Sequence, residues 1–354
     1  MTLDSRFDPR RNSLNAFRLV LASLVVVSHS WLLGGYGPQP SLGGLELGGW
    51  AVIGFFGLSG FLITRSRLSR RPASSFYWNR ALRILPAFLV CILVVAFIFA
   101  PISVLLTADA SYSLPSALTY VLTNLPLAPQ FLAQKGIEST LLGLPVTGYW
   151  NGPLWTLFWE ACCYLLVGVL VSVVRERWLR GAVIVLFGLA TVLVVLTTAG
   201  VLQFGARVDE VFPLFVAFFA GALAYLFRRS IDVSWPILLG CVLLLVAAVL
   251  VGYAAAFIAL PFVLLMLRLG SALSLHRVGA RYDISYGIYI YGWPVQQLLA
   301  LVVFGTGMPV GWFVVLSLAF TLPLAFLSCA LVERPALARK RGSTARMFKP
   351  APTN

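Results

Sequence analysis

Two stretches of this sequence, 183–202 and 237–251, carry no charged residue and leave no polar face on any helix. A helix that is apolar all round belongs in the core of a large protein or in a bilayer. Composition decides between the two. The chain is 60% hydrophobic and 11% charged, with a mean hydropathy of +0.93. A soluble domain would be roughly 45–50% apolar and about 25% charged. These values exclude a soluble enzyme, a disordered chain and a coiled coil. A membrane β-barrel would instead alternate in polarity over stretches of about 10 residues. The expected fold is therefore an all-α, polytopic membrane protein.

A hydrocarbon core of about 30 Å takes roughly 20 apolar residues per helix. Ten spans are predicted, near 14–33, 48–64, 84–103, 153–174, 181–200, 211–227, 235–251, 253–268, 284–304 and 311–332. The first begins near Leu14 without a small-residue cleavage site, so it is expected to remain as a span. Residues 104–152 contain Pro115, Pro126, Pro129 and Pro145, and their apolar pieces are too short to cross. Bare irregular backbone cannot face lipid, so this segment is read as external, with interfacial or re-entrant pieces.

The net charge of +14 does not point to nucleic acid, because the basic residues sit in short clusters between apolar runs. If the N-terminus is cytoplasmic, all the basic residues except Lys135 and Arg207 fall on the cytoplasmic side. Both termini then lie inside the cell, which an even number of spans requires. Residues 1–338 form the expected membrane domain, and 339–354 a basic tail suited to anionic lipid. The five cysteines lie in apolar segments without a C-x-x-C pair and read as free thiols. No metal site and no permanently bound cofactor is expected.

Ionisable residues inside apolar spans are costly and are functional candidates. His29 and Glu160 are two such residues. Arg18 precedes His29 by eleven residues, which is 20° past three full turns, so both side chains share a face about 16 Å apart along the axis. A packing histidine and a snorkelling arginine would satisfy the same spacing. Glu160 lies roughly 10 Å in from the external edge, near the level expected for His29. A histidine with a carboxylate partner is the usual general base; a helix-packing carboxylate is the alternative. Arg80 and Arg83 form an i,i+3 pair whose guanidiniums suit phosphate, or serve only as cytoplasmic anchors. Gly57-Leu58-Ser59-Gly60 suits close helix approach or the wall of a ligand path.

These segments together resemble the acyltransferase-3 family of integral-membrane proteins. Arg18 and His29 match its Arg-x10-His, and Phe55-Phe56-Gly57-Leu58-Ser59-Gly60-Phe61-Leu62-Ile63 is similar to its FF-x-x-SGFLI segment. Arg80 and Arg83 match its R-x-x-R, and Trp155-x-Leu157-x-x-Glu160-x-x-x-Tyr164 its W-[ST]-L-x-x-E-x-x-x-Y. Residues from Ser285 to Pro294, and Val332-Glu333-Arg334-Pro335, look like its last two signatures. Two positions depart from the pattern. Ile53 stands where an acidic residue often precedes the FF segment, and Gly292 where many members carry a histidine. His29 is left as the one intramembrane histidine.

The resemblance implies an inner-membrane O-acyltransferase that moves an acyl group, commonly acetyl, from acyl-CoA to an extracytoplasmic carbohydrate. Arg18, Arg80 and Arg83 would hold the donor's phosphates. His29, assisted by Glu160, would act as general base or covalent relay. Ser59, Trp155 and Tyr164 are read as substrate-binding positions. With no soluble domain after the tenth span, the acceptor is expected to be handled by the membrane domain and its external loops. A transporter or flippase for a lipid-linked sugar is the rival reading, and a non-enzymatic scaffold the third. Acyl-CoA dependence separates the enzyme from both.

Overall fold

The structure, a computed structural model, describes residues 2–9, 11–69, 72–108, 110–127 and 132–339. All but Arg339 of the predicted basic tail lies outside the described residues. The helices that matter are α1 (Leu14–Leu33), α2 (Leu47–Leu68), α3 (Ala73–Leu105) and α4 (Leu114–Asn124). They are followed by α5 (Trp155–Val173), α6 (Glu176–Thr198), α7 (Phe212–Leu226) and α8 (Trp235–Leu250). The chain closes with α9 (Ala259–Ala272), α10 (Ser285–Val303) and α11 (Val310–Arg339).

Six helices (α1, α2, α3, α5, α6 and α11) are long and apolar enough to cross a membrane. Three more, α7, α8 and α9, are apolar but shorter. Helix α10 has the length but spends its positions on Tyr286, Tyr289, Tyr291, Gln296 and Gln297, all of them buried. Among the described residues each predicted span overlaps one of these helices, although the boundaries move and six of them have the length and apolarity to cross. The span expected at 84–103 extends back to Ala73, because the arginine-bearing stretch continues the helix. The one expected at 253–268 starts at Ala259, after a separate single turn at Ala254–Phe257. Cys162 is half-buried and the other four cysteines are buried, all as free thiols.

The polar residues of α10 hold it in place. Pro294 has no N–H to give the carbonyl of Ile290 four residues back. Asn151 donates Nδ2 to that oxygen at 2.8 Å, and Cys91 donates its thiol at 3.3 Å. Gln296 donates to the Val26 carbonyl and to Ser30 Oγ on α1, both at 2.8 Å. Gln297 reaches the carbonyls of Val146 and Tyr149 in the segment before α5. That segment, expected to be irregular apart from short pieces, holds α4 and a packed loop. Trp150, Ile137 and Leu141 are buried there, and Trp150 Nε1 donates to Thr140 Oγ1 at 2.9 Å.

Helices α2 and α7 meet backbone to backbone. A Cβ on Gly60 would run into the carbonyl oxygen of Phe218, and one on Gly221 into that of Gly57. The glycines of the G-x-x-G segment thus serve close packing, the mode that membrane helices use widely. Overpacking a tight contact costs about 1–3 kcal/mol, and here the obstacle is backbone that cannot swing aside. Gly60→Ala and Gly221→Ala are expected to lower the unfolding temperature of the detergent-solubilised protein. Gly240→Ala, whose Cβ would meet nothing within 4 Å, should leave it unchanged or raise it. Equal behaviour of all three would contradict this account of the contact.

Between α1 and α2 lies a two-residue hairpin, β1 (Ser41–Leu42) and β2 (Leu45–Glu46), paired antiparallel. Its central residues, Gly43 and Gly44, have φ of +64° and +78°. Two positive φ values in succession define the tight hairpin turn that glycine accommodates. The turn delivers Glu46 to the start of α2.

Candidate active site

His29 sits on α1 with its ring edge-to-face against Trp293 of α10, centroids 4.8 Å apart. The indole is fixed in turn, donating Nε1 to the Tyr149 carbonyl at 2.9 Å. A side chain at Gly292 would press on Val26, its Cβ only 2.7 Å from Cγ2, so α10 approaches α1 closely beside the imidazole. Both rings open into a cavity of about 530 Å³ lined also by Gln39, Glu46, Tyr149 and Trp155. Ile53 and Glu210 complete part of its wall. Gln39 bridges the rim, accepting from Ser28 Oγ at 2.9 Å and donating to Glu46 at 2.7 Å. Burial pushes the Glu46 carboxyl up from its ordinary range, and the charge of Glu210 adds to the effect.

Glu160 lies in a second, smaller cavity of about 50 Å³, shared with Arg18, Phe55, Ser59, Ser285 and Tyr286. It accepts hydrogen bonds from Ser59 Oγ at 2.8 Å and from the Tyr164 hydroxyl. Its partners are thus Ser59 and Tyr164, and His29 lines the other cavity. The expected pairing of His29 with Glu160 is not what the structure builds. Depth along a helix axis put the two at one level, but it says nothing about which way each side chain points. Of the predicted substrate-binding residues, Trp155 lines the His29 cavity, Ser59 lines the Glu160 cavity, and Tyr164 is spent on Glu160.

The arginines divide as well. Arg18 Nη1 and Arg83 Nη2 both contact Asp283 Oδ2 at 2.7 Å. Ser285 Oγ donates to the other oxygen at 2.6 Å, and Arg83 also lies 3.6 Å from the buried Glu333. Burial alone would raise the Asp283 carboxyl, but the two guanidiniums overcome it and hold the group below the usual carboxylate range. Arg80 takes a different course. Its guanidinium lies over the Tyr164 ring, 5.9 Å from the centroid, and its buried Nε has no hydrogen-bond partner among the described residues. Three residues along a helix turn through 300°, which leaves the two side chains about 60° apart. That angle sends Arg83 to α10 and α11 and leaves Arg80 facing α5.

The two cavities share three lining residues, Val52, Thr156 and Tyr289. An aromatic, histidine-bearing chamber thus adjoins a smaller one ending in arginine. The family model described as "Acyltransferase domain" matches residues 11–331. The chain belongs to the acyltransferase-3 family. It is a multi-pass membrane acyltransferase. Across 353 aligned residues it is 32% identical to the O-acetyl transferase of Shigella phage Sf6, covering 93% of this chain and 97% of that one. Nodulation protein 10 of Rhizobium leguminosarum bv. viciae is 29% identical over 376 residues, covering 96% and 97%. No solved structure matches the chain.

Sequence reasoning about this acyltransferase missed Asp283, Thr156 and Tyr289. A signal for the first was present. Asp283-Ile284-Ser285 just before an apolar run reads as a helix start, and a cluster of arginines at a helix end needs a counterion. Thr156 and Tyr289 stood inside matched motifs but carried no charge to mark them.

Proposed function

We propose that this acyltransferase moves an acetyl group from cytoplasmic acetyl-CoA to a hydroxyl of an extracytoplasmic saccharide, across ten spans of an inner membrane with both termini in the cytoplasm. The observation that carries this reading is the junction of the two cavities at Val52, Thr156 and Tyr289. A reaction between substrates from opposite sides needs one chamber for each and a place where they meet. The arginine end, where Arg18 lines the smaller cavity, suits phosphate, and Arg80 beside the Tyr164 ring offers a guanidinium without an ion-pair partner among the described residues. Arg18 and Arg83 frame the entrance under the hold of Asp283. The pantetheine arm then extends past Ser59 and Glu160 towards the junction.

The larger cavity suits a sugar. Trp155, Trp293 and Tyr149 give flat faces for a pyranose ring, and Gln39 and Glu46 give polar groups for its hydroxyls. His29 takes the proton of the attacking hydroxyl. The name of the phage relative supports acetyl as the group moved. The test is consumption of acetyl-CoA by the purified protein in nanodiscs, paired with mass spectrometry of surface polysaccharide with and without the gene. A lost acetyl ester and acetyl-CoA turnover are the expected results; a protein that neither binds nor consumes acetyl-CoA would be a transporter or scaffold instead. A charge-assisted contact to phosphate contributes about 1.5–3 kcal/mol. Arg80→Ala should therefore raise the apparent donor constant by about one to two orders of magnitude. An unchanged constant in a folded variant would remove Arg80 from the donor site.

A further inference from the structure

Acyl transfer from a thioester to a hydroxyl passes through a tetrahedral intermediate whose former carbonyl oxygen carries negative charge. Hydrogen-bond donors fixed at that oxygen are commonly the largest single source of rate enhancement. The mechanism above supplies a base but no such donor. Of the three residues common to both cavities, two carry hydroxyls, Thr156 on α5 and Tyr289 on α10, and the third, Val52, has none to give.

The two hydroxyls are buried and lie 2.5 Å apart. Both also reach the Pro153 carbonyl, Thr156 at 3.0 Å and Tyr289 at 3.2 Å. Two protons therefore serve three contacts. Either hydroxyl can turn its proton elsewhere while the other still satisfies Pro153, so a ligand can recruit one donor without stranding a buried carbonyl. The supports are rigid: Pro153 belongs to the single 3-10 turn that opens α5, and the Tyr289 ring lies edge-on against Phe55, centroids 5.8 Å apart. Donors that are pre-placed in a dry site and need little rearrangement are what a developing oxyanion requires.

We infer that Tyr289, with Thr156 beside it, donates to the oxyanion of the acyl-transfer intermediate, an assignment that rests on the acyltransferase reading proposed above. The acceptor oxygen bonds to the thioester carbon while its proton passes to His29. The C=O π pair moves onto oxygen, where the Tyr289 hydroxyl meets it. Collapse restores the carbonyl and breaks the C–S bond, and CoA leaves as the thiol, taking the proton back from His29. The products are the ester and free CoA, with nothing left over.

The test measures transfer from radiolabelled acetyl-CoA to polysaccharide extracted from the source organism, by full-length protein in nanodiscs. Tyr289→Phe keeps the ring and removes only the hydroxyl. It should lower kcat by about 10²–10³-fold while the donor KM stays within about twofold. Thr156→Val should lower kcat by a smaller factor, and Thr156→Ser, which restores a hydroxyl at nearly the same place, should recover it. That pair keeps the test open if Tyr289→Phe does not fold. Wild-type kcat in both Tyr289→Phe and Thr156→Val would overturn the assignment and leave the acyltransferase reading standing. A wild-type protein that transfers no acetyl group would overturn both.

Discussion

His29→Ala is expected to bind acetyl-CoA as the wild type does and to transfer almost nothing. A positioned general base contributes about 10²–10⁴-fold, and no second histidine stands in a membrane helix to replace it. Donor affinity should survive because the arginine contacts gather around Asp283 and Tyr164, none of which touches the cavity that His29 lines. His29→Gln serves as the companion variant, since it keeps much of the volume against Trp293 while losing the basic nitrogen. The measurements are donor affinity and single-turnover transfer, each on protein shown to be folded. Full transfer by His29→Ala would sink the base assignment. Glu160→Gln, by contrast, should act through Ser59 and Tyr164 on the donor chamber, and so move the donor constant more than the chemical step.

The second large effect is on stability. Asp283→Ala removes the carboxylate whose one oxygen two partly buried guanidiniums share. Removing one partner of a fully buried ion pair typically costs about 3–5 kcal/mol because the remaining charge is left uncompensated; the partial exposure of this cluster lets solvent screen part of that, so about 2–3 kcal/mol is expected. The variant should unfold at much lower temperature or fail to accumulate, whereas Asp283→Glu should recover part of the loss. The pH dependence follows from the carboxyl's being held below its ordinary value of 3.8. A depressed acid contributes its stability in full above the unfolded value and loses it only as the pH falls through the folded one. The gap between wild type and Asp283→Ala should then be constant at neutral pH and close only in strong acid. Equal thermal stability of the two proteins would mean that the arginines do not depend on this carboxylate.

The helices were legible in the sequence because apolar runs bounded by arginine leave a chain few choices. Their ends were less so: the two arginines and the polar residues among 73–83 interrupt the apolar run, and Phe76 and Leu82, buried in the core, carry α3 back to Ala73. Helix α10 was drawn as a span with the others, and its motif pointed to the same stretch; what its sequence did not show is that Tyr286 and the amide groups of Gln296 and Gln297 donate to partners far away in sequence. The site was half legible. His29 and Arg80 stand in cavity and cation settings that a motif suggests, but the partner of each was not readable. Spacing along one helix fixes which residues share its face. It cannot say whether the opposing face belongs to α5, α10 or α11, and so it paired His29 with Glu160 and Arg80 with Arg83. Asp283 supplied the missing term, as the acid that claims two of the three arginines.

The glycine seam between α2 and α7 has a kinetic meaning. With carbonyls seated where side chains would be, these two helices cannot slide or roll past one another without lifting apart. Ser59 stands on α2 within that seam, so one wall of the donor chamber behaves as a stator. On the opposite side, α10 adds hydrogen bonds through Gln296, Gln297 and Tyr289 to its close packing on α1 and α11. The fixed wall is thus the one that keeps Ser59 and its partner Glu160 in place.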